Sequence, residues 1–330
     1  MNKIDFLAVG DIVIDAFIKI EDAHVNCRID GTACELCVRF GDKIPYESVT
    51  VVSAVGNSPN AAVSAARLGL RSALVTNIGD DQNGADCLES LKKDKVITDF
   101  VSTENEKKTN YHYVLWYQVD RTILVKHTEF NYKFPNLPEI SWMYLSSLAN
   151  NTLEYHMEIA EYLKKNPETK LAFQPGTFQI KLGAEKLKDI YARTEILFCN
   201  TEEAERILGI ESTDILVLSE ALAKLGPKMV CISDGPKGAY LYNENELWHI
   251  PMYPDIAPPI DRTGAGDAFS STFTAALALG LSPIEALSWG PINSMSVVQG
   301  IGAQEGLLSR ENLEEYLKNA PAQYKATKVK

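Results

Sequence analysis

The stretch DRTGAGDAFSSTFTAALALG, residues 261–280, sets a run of nearly side-chain-free backbone ahead of a long apolar helical pattern. Gly264, Ala265 and Gly266 lead directly into a single carboxylate, Asp267. Two readings fit this spacing. In one, Asp267 is an N-cap, accepting from the first free N–H groups of the helix. In the other, the amides of 264–266 converge at a helix N-terminus, which favours an anion, and Asp267 acts beside it. A carboxylate is a poor neighbour for a resting phosphate. It suits a site where a neutral hydroxyl stands between it and a phosphoryl group. The carboxylate then takes the hydroxyl proton while the amides stabilise the transferring charge.

Outward from this stretch, short apolar runs alternate with helical patterns. IDFLAVG, SALVTNIG, WMYLSSL, KLAFQPG, EILFCN and MVCISDG read as buried strands. SPNAAVSAARLG, GADCLESLKKDK, TLEYHMEIAEYLKK and TEEAERILG read as capped or amphipathic helices between them. Repeated β–α units predict an α/β fold, a doubly wound, mostly parallel sheet with helices on both faces. Ligands of such sheets bind beyond the carboxyl ends of the strands. Two segments break the rhythm, about 16–52, with an Asp30-Gly31 turn signal, and about 108–128, rich in aromatic and β-branched residues. Both read as antiparallel strands forming a small inserted β-sheet lid on a single domain, 1–330.

Composition narrows the function. The chain has 330 residues, 45% hydrophobic and 23% charged, with a formal net charge of −12. That charge argues against a nucleic-acid partner. The basic KATKVK terminus reads as a solvated tail. With no leader pattern and no apolar run of spanning length, no membrane association is expected, and six cysteines in a chain this long point to a reducing cytoplasm. Neither common phosphate fingerprint is completed. GDDQNGAD lacks the P-loop lysine, and Phe269 stands where a third glycine of G-x-G-x-x-G belongs. His24, Cys27, Cys34 and Cys37 have the spacing H-x₂-C-x₆-C-x₂-C across the turn signal. They read either as a structural Zn²⁺ site or as ordinary reduced cysteines, the central gap being short for a zinc ribbon.

DRTGAGDAF resembles the C-terminal signature of the ribokinase-like (PfkB) carbohydrate kinases, and GNSPNAAVSAARLGLRSALVTNIG resembles their N-terminal one. The likeness covers residues 3–320 and implies that family's fold and an ATP-dependent transfer to a hydroxymethyl group of a sugar or sugar-like acceptor. It implies Asp267 as base and Gly264, Ala265 and Gly266 as the anion hole. Through NTEE it implies Asn200 and Glu203 organising Mg²⁺ and its waters, although the same residues also suit a helix cap with acids in the first turn. Through SDGPKG it implies Ser233, Gly235 and Gly238 against ATP, with Asn293 at the adenine pocket. Asp15, helped by Asp11, Gly56, Asn57 and Asn60, would hold the acceptor. A K⁺ beside Asp261 and a homodimer through the lid are further expectations. A nucleoside acceptor, favoured by the lid aromatics Tyr111, Tyr113, Trp116 and Tyr117, stays open, and a non-catalytic binding regulator ranks lower. The chain departs from the pattern at Val55-Gly56, at Arg262, and at YLSSLAN, where Ser146 or Asn150 replaces a sugar-binding glutamate.

Overall fold

The computed structural model describes residues 3–27, 34–118 and 120–330. The apolar runs become strands because they are buried on both faces. In Ile4–Val9, Phe6 and Ala8 join one hydrophobic cluster while Ile4, Leu7 and Val9 join another. The first cluster holds Ala61, Phe273 and Ile292 from the helices Asn57–Arg67, Ala265–Ala278 and Pro283–Val297. The second holds Ile159, Ile190 and Leu218 from Leu153–Lys165, Lys188–Arg193 and Ile215–Ala223. Ten strands make the main sheet, in the order Thr327–Lys328, Glu246–Ile250, Ala239–Asn243, Met229–Ser233, Thr194–Asn200, Lys170–Phe173, Ile140–Leu145, Ile4–Val9, Ser72–Gly79 and Val101–Glu104. From Met229–Ser233 to Val101–Glu104 every pairing is parallel, and the other edge is antiparallel. This is the doubly wound sheet that the β–α rhythm predicts.

The terminal KATKVK is not a solvated tail. Val329 N donates to Leu247 O at 2.7 Å, and Lys328 Nζ lies 2.6 Å from Glu246 Oε1, so the segment pairs as an edge strand. Lys328 meets an acid of a neighbouring strand 82 residues away, and Lys330 meets Glu220 of the helix Ile215–Ala223, partners that local sequence does not reveal.

A second sheet has the order Tyr46–Val55, Val13–Ile20, Asn110–Tyr117, Asp120–Leu124. Its outer pairs are antiparallel, but the central pair, Val13–Ile20 with Asn110–Tyr117, is parallel, contrary to the expectation of antiparallel strands throughout. The register sets Asp15 directly beside His112. On its other side a register shift between Val13 and Asp15 leaves an extra residue in Tyr46–Val55, with Ala54 left-handed at φ 62°. Such bulges re-aim side chains next to sites. A short hairpin, His24–Asn26 with Glu35–Cys37, extends from this sheet, and its Asp30-Gly31 turn lies outside the described residues. Among the described residues no helix is long and apolar enough to cross a membrane.

Candidate active site

The helix Ala265–Ala278 starts at Gly264, left-handed at φ 79°, with no side-chain cap. Asp267 therefore is not an N-cap. It lies in the first helical turn and its carboxylate points away from its own amides. Asn57 Nδ2 donates to Oδ1 at 2.7 Å, Asn60 Nδ2 to Oδ2 at 2.8 Å, and Gln174 Nε2 to Oδ1 at 3.2 Å. Burial raises the pKa of Asp267, and the three amides oppose the rise. The result is an ionisable group kept out of water beside a helix end whose first N–H groups have no intrahelical acceptor.

Two chain segments deliver these partners. Asn57 and Asn60 occupy the first turn of Asn57–Arg67, just after Gly56. Gly56 sits at φ 115°, and a Cβ there would lie 2.8 Å from Asp11 O, so a larger residue would separate this helix from the first strand. Gln174 directly follows the strand Lys170–Phe173, at the carboxyl edge of the parallel sheet. Asn60 Oδ1 in turn accepts from Gln304 Nε2 at 2.9 Å, and the same nitrogen donates to Ala54 O at 2.7 Å. Asn57 and Asn60, expected to line the acceptor pocket, both hold Asp267. Gln174 and Gln304 were not anticipated. A polar residue at the carboxyl end of a buried parallel strand was the available signal for Gln174.

Asp11 and Asp15 do come together, with partners absent from the sequence reading. Tyr132 Oη donates to Asp11 Oδ1 at 2.7 Å, and His127 Nδ1 lies 3.6 Å from Asp11 Oδ2. His112 Nδ1 lies 3.4 Å from Asp15 Oδ1. The His112 and His127 rings meet edge-on at 5.5 Å, and His127 meets Phe178 the same way at 5.5 Å. Burial raises the Asp11 pKa to about 6 and lowers that of His127.

On the opposite side of Asp267, Asn200 and Glu203 form a full capping box on the helix Thr201–Leu208. Glu203 N donates to Asn200 Oδ1 at 2.8 Å and Asn200 N to Glu203 Oε2 at 2.9 Å. The two residues therefore do cap the helix, yet Glu203 is also near enough to Asp267 to feel its charge. Its pKa is raised by burial first and by Asp267 further down the order. Both carboxylates are desolvated, and carboxylates are fitting ligands for a hydrated divalent cation; the second Glu203 oxygen remains outside the capping box. Ser233 ends a main-sheet strand, and Gly235 and Gly238 make the turn to the next, with Asp234 N donating to Gly238 O at 2.8 Å. Asn293 is fully buried, its Nδ2 on Thr272 Oγ1 at 2.7 Å and its Oδ1 accepting from Leu308 N at 2.9 Å. It ties loop to helix with both polar groups.

Asp261 accepts from Thr263 N and Oγ1, from Gly302 N at 2.9 Å, and from Arg121 Nη1 at 3.2 Å. Arg121, from the second sheet, supplies the positive charge there, so the residues do not fit the expected K⁺, which a guanidinium on the same oxygen would repel. Arg262 is exposed. The zinc expectation also fails. Cys27 and Cys34 are joined as a disulfide, S–S 1.98 Å, which removes two thiolates from the four donors. Cys37 is a free thiol, and among the described residues no group of three or more His, Cys, Asp or Glu is placed to hold a metal. The hairpin brings the pair together, and a bonded pair departs from the expectation of reduced cysteines throughout.

A family model described as "pfkB family carbohydrate kinase" matches residues 24–310. A ribokinase of Bacillus subtilis is 28% identical over 303 residues, covering 88% of this chain and 98% of the relative. Two solved structures share the fold. Arabidopsis thaliana ribokinase complexed with ribose and ATP has TM-score 0.78 and 21% identity, covering 96% of this chain and 99% of that one. The Methanocaldococcus jannaschii nucleoside kinase has TM-score 0.77 and 20% identity, covering 97% and 99%. ATP with Mg²⁺ is the donor expected of this family. The matched span takes in the buried carboxylate, its amide clamp and most of both sheets, and on that footing the chain belongs to the pfkB family and is an ATP-dependent carbohydrate or nucleoside kinase.

Proposed function

We propose that this chain moves the γ-phosphoryl group of ATP onto a hydroxymethyl group of a sugar or sugar-like acceptor, with Asp267 receiving the hydroxyl proton. The observation that carries this reading is the Asp267 carboxylate, buried at an uncapped helix N-terminus and held by three amides from two other segments. A base held that way is aimed and desolvated before substrate arrives, and both lower the cost of reaching the transition state. The amides at 264–266 face the developing charge on the phosphoryl oxygens. Asn200 and Glu203 would hold Mg²⁺ through its waters, and the chemistry it would supply there is the offset of charge on the phosphates. The turn Ser233–Gly238 lies against the nucleotide. The second sheet acts as a lid on one kinase domain and limits the access of water to ATP. Its link to the core through Arg121 and Asp261 supports that role.

ADP release measured with ATP and Mg²⁺ across a panel of sugars and nucleosides tests the reading. Stimulated release by at least one acceptor, abolished by EDTA, is the expected result. Basal release unchanged by every acceptor would favour a binding regulator instead. A ribose-bearing nucleoside is the second acceptor class in the panel, since an aromatic row, His112–His127–Phe178, borders the acceptor carboxylates.

The lid is also the proposed dimer surface. Val49, Val51, Tyr113, Ile123 and Leu124 are exposed on it, and Tyr46–Val55 is an unpaired edge. Light scattering after size exclusion should report a dimer for the native chain and a monomer for Val51→Glu. A native monomer at micromolar concentration removes this part of the proposal.

A further inference from the structure

The polar atoms of the acceptor side do not satisfy one another. Asp11 Oδ2, Asp15 Oδ1, His112 Nε2 and His127 Nδ1 are all buried without a hydrogen-bond partner. Asp11 is 6% exposed, so bulk solvent does not reach its free oxygen. His127 Nδ1 lies 3.6 Å from Asp11 Oδ2, while Asp15 Oδ1 lies 3.4 Å from His112 Nδ1 and the unpartnered nitrogen of that ring is the other one, Nε2; both pairs are near enough to interact and too poorly placed to bond. Leaving such groups unpaired is costly. A structure that keeps four of them in one place has a use for them.

The chemistry of the missing partner follows from the inventory of donors and acceptors. A carboxylate accepts only, and a neutral imidazole offers one donor and one acceptor. A hydroxyl both donates and accepts. One hydroxyl therefore completes each Asp–His pair, donating to the carboxylate oxygen and exchanging a hydrogen bond with a ring nitrogen. Two pairs call for two hydroxyls on one rigid frame. The shifts agree with neutral partners, since burial disfavours the charged forms of both Asp11 and His127. A phosphate is the wrong guest. The side chains in mutual contact, Asp11, Asp15, His112, His127, Tyr132 and Phe178, include no Lys or Arg. Arg121 is committed to Asp261, and Lys181 lies over the Phe178 ring, 5.7 Å from its centre.

We propose that His112 and His127 are specificity-determining residues of this kinase, contacting the acceptor hydroxyls opposite Asp15 and Asp11, and that together the four select an uncharged polyhydroxylated ring and reject its phosphorylated form. The ring is a free sugar or the ribose of a nucleoside. Both histidines come from the lid side of the site, His112 from the strand Asn110–Tyr117 and His127 from the segment after Asp120–Leu124. Acceptor recognition is thereby coupled to lid position, because Asp15, His112 and His127 are carried by the lid while Asp11 follows the core strand Ile4–Val9.

The proposal rests on the kinase reading, and its test separates the two. Steady-state kinetics on the full chain compare fructose with fructose 6-phosphate, a pair differing only in the phosphate, alongside ribose and adenosine. In His112→Ala and His127→Ala the KM for the best acceptor should rise about tenfold or more, with kcat and the KM for ATP within about twofold. His112→Gln and His127→Gln, which keep a donor and an acceptor, should recover part of the loss. Fructose 6-phosphate should be the poorer of the matched pair by about 10²-fold in kcat/KM. Acceptor KM values unchanged in both folded alanine variants, or a preference for the phosphorylated sugar, overturn the proposal. Turnover-independent binding is read by thermal shift with the same probes on the Asp267→Asn protein. A sugar that stabilises this protein but not its His112→Ala derivative supports the acceptor site even if no transfer is detected. If no probe shifts either protein, the acceptor site fails as drawn.

Discussion

Replacing Asp267 by Asn is expected to lower kcat by about 10³-fold while leaving the chain folded. In the proposed reaction the carboxylate takes the acceptor proton, and an amide cannot. The structure makes a second, finer expectation. Asp267 Oδ1 takes two donors and Oδ2 takes one, all from amide nitrogens. An Asn in its place sets an NH₂ against one of them. Asn60 cannot simply turn over, because its own oxygen accepts from Gln304 Nε2. The mismatch costs about 1–3 kcal/mol, partly offset by removing a buried charge. Asp267→Ala leaves all three donors without an acceptor and should unfold at a lower temperature than Asp267→Asn. ADP release in the presence of acceptor, with thermal unfolding of both variants, checks the pair. Turnover within tenfold of the native chain in Asp267→Asn would remove the base. The native activity should also fall on the acid side. Burial raises the Asp267 pKa, so the base is lost to protonation at a higher pH than an ordinary carboxylate would be.

The parts of this site that sequence reveals are those written contiguously. The 261–280 stretch carries loop, helix start and carboxylate within a few residues, and the 56–60 segment carries the glycine and both asparagines that meet it. What the stretch alone leaves open is the direction of the Asp267 side chain. Position in a first turn suits a cap as well as a base, and only the long-range partners Asn57, Asn60 and Gln174 decide. His112, His127, Tyr132 and Arg121 were illegible for a related reason. Each is one polar residue in or beside a lid strand, where alternation makes a polar residue ordinary. Their meaning comes from the parallel register that puts His112 beside Asp15 and from a chain reversal that brings Arg121 to Asp261, 140 residues away. The same limit applies to Asn293. Its resemblance to a nucleotide-pocket residue is local, whereas its complete burial depends on how Pro283–Val297 packs on Ala265–Ala278.

The two glycines of the anion loop should respond differently to a methyl group, and the difference separates architecture from chemistry. Gly264 is left-handed, and a Cβ on it would meet Ala303 Cβ and lie 2.6 Å from Ala303 Cα. Backbone cannot yield as a side-chain tip does. Gly264→Ala therefore combines about 1–2 kcal/mol of left-handed strain with a forced separation of the helix start from the 302–304 loop. That loop is the hub of the site. Gly302 N is bound to Asp261 and Gln304 to Asn60, which holds Asp267. A shift near 1 Å there misaligns base and amides together, and about 10²-fold in kcat is the expected loss, with a lower unfolding temperature. Gly266 is the opposite case. It is exposed, its φ is not positive, and a Cβ would have nothing within 4 Å. Gly266→Ala should keep the unfolding temperature, since alanine is the better helix former. It should still slow transfer if the open space beside it is where the phosphoryl group travels. Loss of activity with loss of stability at 264, and loss of activity alone at 266, is the expected pattern. Native turnover in Gly266→Ala would move the phosphoryl path away from this helix end, whatever Gly264→Ala does.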